Sequence, residues 1–236
     1  MTNIGTATRV SAGFAVIAAS VLLTGCVTTV SGTATRAQNP GADVAPLDES
    51  KLEDVVLTIG EVNTIMGART MEVTSELEDM TDHSDQVSEP ECLGAVYGAE
   101  EPVYAGSGWK AVLDQIAREE GDDNDHWVEQ TLVLYPSADK ALNFFDKSKA
   151  IWESCANYTV SVDDGGNTYD WELGEVTAKD NLITQLTIQS DADGWGCQHA
   201  LSPVSNITVE VWACSYDIGD EAATIVNDVV ANVTKK

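Results

Sequence analysis

The chain has few basic residues and no long hydrophobic run, and these absences exclude several classes of protein. Its 236 residues include 12 Lys and Arg against 39 Asp and Glu, which gives a formal net charge of −27. Nucleic acids and anionic lipid surfaces are bound through clusters of Lys and Arg, so the charge balance disfavours both as partners. No stretch of about 18 apolar residues occurs, and we therefore expect no internal membrane span.

The motifs of the common catalytic classes are missing as well. The chain has no G-x-S-x-G elbow, no H-E-x-x-H zinc motif, no P-loop and no G-x-G-x-x-G turn. Its acidic clusters lack the spacing of an EF-hand and are typical of tight turns. Histidine is scarce, with three residues, of which His126 is the candidate base. The sequence therefore predicts no catalytic residue, no cofactor and no metal site, and the alternative is a cell-envelope hydrolase that uses His126.

The amino-terminal residues have the pattern of a bacterial lipoprotein signal. Arg9 precedes a mostly apolar run, residues 10–23, which has the length of a signal peptide and is too short to cross a bilayer. The motif Leu-Thr-Gly-Cys at 23–26 resembles the lipobox of bacterial lipoproteins. The resemblance implies cleavage before Cys26 and lipid attachment to its thiol. Residues 1–25 are thus predicted to be a signal peptide, and the alternative is an ordinary secretory signal with an incidental cysteine.

The segment after the lipobox has the composition of a tether. Residues 26–46 are rich in Thr, Ala and Gly and contain no aromatic residue, which is typical of a flexible linker. Acyl chains on Cys26 would hold the protein at the membrane, because two chains anchor where one does not. We therefore expect residues 47–236 to lie at the extracytoplasmic face of the cell membrane.

Four cysteines remain once Cys26 is set aside: Cys92, Cys155, Cys197 and Cys214. An even number in an exported protein indicates two disulfides, because that compartment is oxidising. No C-x-x-C spacing occurs, which disfavours a zinc site. Four cysteines allow three pairings.

Hydrophobic periodicity predicts both strands and helices in residues 47–236. Alternating patterns indicate strands at 71–77, 109–114, 127–134, 158–162, 169–176, 182–188 and 207–213. Spacings of three and four indicate long helices at 137–155 and 220–233, and short helices are predicted after Asp48 and Thr58. Cys155 is on the buried face of its helix, where we expect a bridge to the sheet. The fold class is therefore α+β, a single domain with a mostly antiparallel sheet flanked by helices.

Six tryptophans are a dense set for one domain, and core packing is their ordinary explanation. Two of them flank polar positions of a predicted hairpin, close in sequence to further polar and aromatic residues. Binding sites typically combine aromatic walls with a few polar groups. We therefore predict a ligand-binding cleft lined by Tyr104, Trp109, His126 and Gln130, with Trp127 beside it.

An ordered set of short motifs, built on glycine, cysteine and tryptophan, identifies a family. In chain order they are Met66-Gly67-Ala68, Cys92-Leu93-Gly94, Tyr104-Ala105-Gly106-Ser107-Gly108-Trp109, His126-Trp127-Val128-Glu129-Gln130, Tyr135-Pro136-Ser137-Ala138, Trp152-Glu153-Ser154-Cys155, Gly194-Trp195-Gly196-Cys197 and Ala213-Cys214. From about residue 47 to 233 the chain resembles the extracellular sensor domain of the PknH type. That domain ends a mycobacterial receptor serine/threonine kinase and also occurs in stand-alone mycobacterial lipoproteins.

The resemblance implies an α+β domain with the disulfides Cys92–Cys155 and Cys197–Cys214 and a large cleft suited to a ligand. The sequence departs from the family pattern in two ways: it shows no kinase domain or membrane span, and His199 stands where relatives are expected to carry Arg. We expect a lipid-anchored sensor or ligand-binding module without catalysis, which captures a small molecule or cell-envelope component. A protein-interaction lipoprotein that binds a membrane protein is a further alternative.

Overall fold

An eight-stranded antiparallel sheet forms the centre of the described part of the chain, which comprises residues 44–121 and 124–235 of a computed structural model. The predicted signal peptide, Cys26 and all but the last residues of the predicted tether lie outside these described residues. Among the residues described, no helix is both long enough and apolar enough to span a bilayer.

Within residues 44–121 and 124–235 the sheet is flanked by five α-helices, and its strand order is β1-β2-β3-β8-β7-β6-β5-β4. The strands are β1 Glu72–Leu77, β2 Ala111–Arg118, β3 His126–Leu134, β4 Thr159–Asp164, β5 Asn167–Lys179, β6 Leu182–Gln189, β7 Gly196–Val204 and β8 Ile207–Ser215. The helices are α1 Ile59–Met66, α2 Leu93–Val96, α3 Glu101–Tyr104, α4 Ala138–Cys155 and α5 Glu221–Thr234, with short 3₁₀ turns at Glu49–Lys51 and Pro90–Cys92. The predicted α+β fold with a mostly antiparallel sheet is confirmed.

Helices cover the two faces of the sheet differently. Helices α1 and α5 pack on one face, where an aliphatic core joins Ile225 and Val229 to Leu132 and Val209 of the central strands. Helices α2, α3 and α4 pack on part of the other face, whose core includes Trp152. Because side chains alternate along a strand, each central strand supplies one row of residues to each face.

Helix α1 forms where the sequence predicts it. Thr58 and Glu61 make a capping box, in which the Thr58 backbone N–H donates to Glu61 Oε2 at 2.8 Å. Gly67 ends the helix at φ 69°, a left-handed conformation that glycine adopts without steric cost. The predicted helix after Asp48 is instead the 3₁₀ turn Glu49–Lys51, followed by further turns.

Helix α4 also agrees with its sequence pattern. Its buried residues include the predicted stripe Ala141, Phe145, Ser148, Trp152 and Cys155. The disulfide pairing that the family resemblance implies is present, with S–S distances of 2.06 Å for Cys92–Cys155 and 2.11 Å for Cys197–Cys214. The expectation that Cys155 is bonded to a cysteine of the sheet is wrong. Its partner ends the 3₁₀ turn Pro90–Cys92, which lies beside α4 rather than in the sheet.

Strand β7 has no counterpart among the strands predicted from sequence. All nine of its residues are buried, polar ones included, because α4 covers one face of the strand and α5 the other. Alternation of polar and apolar residues, which reveals a half-exposed strand, therefore does not occur here. A tight turn at Ser205 and Asn206 joins β7 to β8, with Ser205 at φ 50°.

Candidate functional site

The described surface includes two sizeable cavities. The first, of about 1150 Å³, is a groove between the residues that follow Leu47 and the end of the β2–β3 pair that includes Ala111 and Leu134. The second, of about 650 Å³, lies over the part of the sheet that α4 leaves uncovered. We call the second one the aromatic cavity. Its volume lies within the range of about 300–1,000 Å³ that small-molecule sites occupy.

Strand register brings the floor of the aromatic cavity together. Glu129 of β3 lies between Ile116 of β2 and Trp212 of β8 in neighbouring strands. Two residues earlier in β3, on the same face of the sheet, Trp127 is opposite Cys214 of β8. Cys214 is in turn opposite Cys197 of β7. The disulfide between those two cysteines thus joins directly paired positions, and it forms part of the floor.

Aromatic side chains make the walls of the cavity. They come from three strands and two loops: Tyr97, Trp127, Tyr169, Trp171, Trp195 and Trp212. Three of the four tryptophans, Trp127, Trp171 and Trp195, are partly exposed and pack against the Cys197–Cys214 bridge. Burial raises the pKa of Tyr97 to about 12, so its phenol stays neutral at physiological pH.

Two buried carboxyl groups lie beside these walls. Asp114 and Glu129 are 3% and 8% exposed and are hydrogen-bonded to each other. Burial raises the pKa of Asp114 to about 6, although a hydrogen bond from Thr131 Oγ1 at 2.6 Å favours its ionised form. Burial, with Asp114 as the next cause, raises the pKa of Glu129 well above its usual range. The pair therefore holds a proton that two exposed acids would lose at neutral pH.

A third buried acid, Glu100, is held differently. It accepts hydrogen bonds from the His83 backbone N–H at 2.7 Å and from Thr81 Oγ1 at 3.0 Å. His83 Nδ1 lies 2.5 Å from Glu100 Oε1, and the imidazole ring stacks on Tyr97 at 4.7 Å between centroids. Glu100 thus orients His83 at the cavity wall and has its own oxygen atoms satisfied.

Behind the floor runs a chain of buried side chains. His199 is fully buried between Trp152 and Trp212, with ring centroids 3.8 Å and 3.9 Å away. Its Nε2 lies 2.8 Å from Glu210 Oε1, and the Tyr104 hydroxyl donates to Glu210 Oε2 at 2.5 Å. Burial lowers the pKa of His199, more than the neighbouring Glu210 raises it, so the imidazole is neutral. Where the family pattern leads us to expect Arg, this chain therefore buries an uncharged ring.

The structure does not bring the four predicted cleft residues together. Trp109 lines the groove near Leu47, and Tyr104 is buried behind the floor of the aromatic cavity. His126 lies at the start of β3, where Nδ1 is 2.7 Å from Glu119 Oε1. Gln130 faces the segment before α1, where it exchanges hydrogen bonds of 3.1 and 3.2 Å with the backbone of Leu57. Trp127, which the sequence places beside the predicted cleft, does line the aromatic cavity.

Charge and chemistry limit what the aromatic cavity can bind. No Lys or Arg belongs to the described residues that line it, whereas Glu100, Asp114, Glu129 and Asp164 do. Within the described ranges, no group of three or more His, Cys, Asp or Glu side chains has a geometry that could hold a metal ion. Aromatic faces with neighbouring carboxyl groups suit organic ligands rather than an ion cage.

The sequence does contain a signal for the residues of the cavity floor: the positions of β3 and β8 that lie between the apolar ones. In β8 the apolar positions Val209 and Val211 face α5, and the positions next to them, Glu210 and Trp212, face the cavity side. The same alternation places Glu129 of β3 on the cavity side. Reading both faces of these two strands, rather than the apolar face only, predicts the floor of the cavity.

Comparison with known proteins places this fold in a family. The family model of the PknH-like extracellular domain matches residues 47–232. The chain belongs to this family. The resemblance found in the sequence motifs is thus confirmed, and the described domain is a PknH-like extracellular domain.

Individual relatives support the assignment. The serine/threonine-protein kinases PknH of Mycobacterium bovis and Mycobacterium tuberculosis are both 38% identical over 191 residues, which are 81% of this chain and 32% and 30% of the respective kinases. The chain thus spans about a third of the length of the curated relatives it matches. The crystal structure of the extracellular domain of PknH from Mycobacterium tuberculosis superposes with a TM-score of 0.78 at 37% identity, covering 81% of this chain and 99% of that domain.

Proposed function

We propose that the chain is a lipid-anchored, extracytoplasmic sensor-like module that captures a small molecule or cell-envelope component in the aromatic cavity and performs no chemistry on it. The observation that carries this proposal is the cavity itself. Six aromatic side chains surround about 650 Å³ on a sheet face that the helices elsewhere cover. Exposed aromatic surface in a concave site is typical of ligand recognition.

The rigid frame around the cavity favours its interpretation as a binding site rather than as a packing defect. The Cys197–Cys214 disulfide joins two central strands at the floor, and Cys92–Cys155 fixes the turn before α2 to α4. A site held by cross-links and sheet register loses little conformational freedom when a ligand enters, which favours affinity. The membrane anchor in this proposal comes from the lipobox that ends at Cys26.

Native mass spectrometry of the full chain, purified in mild detergent from its own cell envelope, tests this proposal. We expect acyl groups on Cys26 and an additional small-molecule mass in wild type. Trp171→Ala removes a cavity wall and should abolish the additional mass. Trp109→Ala is the matched control, because that tryptophan lines the other groove, and it should retain the mass.

Two outcomes would contradict ligand capture. One is a bare polypeptide plus lipid in repeated wild-type preparations, and the other is an additional mass that Trp171→Ala leaves unchanged. An unmodified residue 26 in exported material would contradict the anchor without affecting the cavity.

The alternative of a hydrolase based on His126 receives no support from the geometry around that residue. Glu119 accepts from the His126 backbone N–H at 3.0 Å and lies against its ring, a pairing that closes the end of the β2–β3 hairpin. Within the described residues, no hydroxyl or thiol is hydrogen-bonded to this imidazole as an activated nucleophile would be.

The alternative of a protein-interaction lipoprotein would need a contiguous exposed apolar patch. The large exposed apolar side chains of the described domain come from three strands and two loop positions: Val73 and Leu77 of β1, Tyr169 of β5, Leu186 of β6, and Tyr158 and Tyr216 just outside the strands. This scatter favours the cavity over the outer surface as the site of recognition.

A further inference from the structure

The electrostatics of the aromatic cavity are one-sided. Its described lining contains four acidic residues and no Lys or Arg. On the same face of β2, Arg118 pairs in register with Trp127 and Glu72, but it is exposed and does not line the cavity. The whole chain, at a formal charge of −27, adds to the negative potential that a ligand meets on approach.

The acids of the cavity are not equally available to a ligand. Glu100 already has three hydrogen-bond partners from His83 and Thr81. Asp114 and Glu129, by contrast, have each other and the Thr131 hydroxyl. No basic side chain forms an ion pair with either carboxyl group among the residues described. A positive charge is therefore the complement that this pair lacks.

The close approach of Gly98 holds one of these acids in place. An added Cβ at this glycine would lie 2.7 Å from Glu129 Oε2, closer than real Cβ contacts. The carboxyl group of Glu129 thus lies directly against the Gly98 backbone at the cavity wall. Any larger residue at position 98 would displace this carboxyl group. The absence of a side chain at Gly98 therefore provides the space in which the Glu129 carboxyl group lies.

The aromatic walls of the cavity also favour a positively charged ligand. Indole and phenol faces attract cations electrostatically, and the attraction grows where water is excluded. Trp212, which is opposite Glu129 in the sheet, is 5% exposed, and its Nε1 has no hydrogen-bond partner in the described structure. The cavity thus offers aromatic faces and an acid pair without a counter-ion, and the unpartnered indole N–H of Trp212 is buried beside them.

We infer that the aromatic cavity selects a small organic cation, one with an ammonium or guanidinium group that lies against the tryptophan faces and next to Asp114 and Glu129. The inference rests on the proposed capture function and adds the charge of the ligand to it.

Protonation of the acid pair should oppose binding of a cation. Further titratable groups lie around the pair or behind it on the neighbouring strands and loops: Glu100, Asp164, Glu210, Tyr97, Tyr104, His83 and His199. Because a cation favours the ionised pair, its affinity should rise with pH through the raised pKa values of Asp114 and Glu129. A neutral ligand lacks this coupling.

Choline and its neutral isostere 3,3-dimethyl-1-butanol form a matched pair of probes, which differ in charge and hardly in shape. We expect calorimetry or tryptophan fluorescence of the full chain in detergent to show saturable choline binding, about tenfold or more tighter than that of the isostere. Binding should weaken from about pH 8 to about pH 5, and Glu129→Gln, which resembles the protonated acid, should remove most of this pH dependence. Trp109→Ala should bind choline as wild type does.

The outcomes separate this inference from the proposed function. Equal affinity for choline and its isostere, or no saturable choline binding, overturns the cation inference. A neutral or anionic small molecule that co-purifies with wild type and is lost in Trp171→Ala overturns it too, while ligand capture stands. A cavity that binds neither the probes nor any co-purifying molecule overturns both.

Discussion

The two faces of the sheet are built from the same central strands but follow different rules. The face under α1 and α5 is aliphatic, and nearly every side chain there serves packing. The opposite face includes aromatic, acidic and disulfide-bonded residues, among them Trp212, Glu129 and Cys197, and it opens to the cavity. Buried acids lower the free energy of unfolding when they ionise. The aliphatic face therefore stabilises the fold, and the face with the cavity offsets part of that stabilisation.

The largest effect on stability should come from the aliphatic face. Ile225 of α5 is fully buried, and Ile225→Ala should lower the free energy of unfolding by about 2–5 kcal/mol, because a cavity replaces packed methyl groups. Denaturant titration measures this change. Asn227→Ala on the exposed side of the same helix is the control and should change stability little. A small loss from Ile225→Ala would break the proposed division between the faces.

A smaller loss should follow from Gln130→Leu. This change leaves the N–H and C=O of Leu57 without their side-chain partner, which should cost about 1–3 kcal/mol of unfolding free energy in a denaturant titration. Ligand binding should persist, since Gln130 faces away from the cavity. Gln115→Leu, which removes an exposed hydrogen bond to Glu76, is the matched control. If Gln130→Leu abolished binding in a folded protein, the predicted cleft residue would have its binding role after all.

A substitution on the face with the cavity should raise the free energy of unfolding rather than lower it. The folded-state pKa of Asp114 is raised to about 6, so the folded protein holds a proton that the unfolded chain has lost, and stability falls as pH rises from about 4 to above 6. Asp114→Asn removes this loss and should raise the free energy of unfolding by about 1–2 kcal/mol near pH 8, with no gain near pH 4. Thermal unfolding at both pH values measures the difference. The exposed acid Glu120 gives the control Glu120→Gln, and equal gains in both variants would refute burial as the cause.

Much of the fold could be predicted because its signals are local. The cap formed by Thr58 and Glu61 and the stripe from Ala141 to Cys155 depend on neighbours within a few residues. Strand β7 could not be predicted in the same way, because its burial results from helices that are distant in sequence.

The site was harder to predict, because it depends on register and on which face a residue occupies. Trp109 precedes β2 near the pair Ala111–Leu134, whereas Trp127 pairs with Arg118 at the other end of the hairpin. Two tryptophans that flank one hairpin in sequence are therefore a strand length apart. Gln130 is next to Glu129 in the sequence, but its side chain is on the opposite face of β3. It lies on the same side as the aliphatic core residues Val128 and Leu132.

The hairpin β7–β8 also separates the first described residues of the domain from the cavity. The Ser205 hydroxyl at its turn donates to the carbonyl groups of Val44 and Ala45, so these first described residues lie against the turn. The cavity floor at Cys197 lies at the other end of the same strand, about 26 Å away at a rise of about 3.3 Å per residue. The first described residues and the floor of the cavity thus lie at opposite ends of β7, about the length of that strand apart.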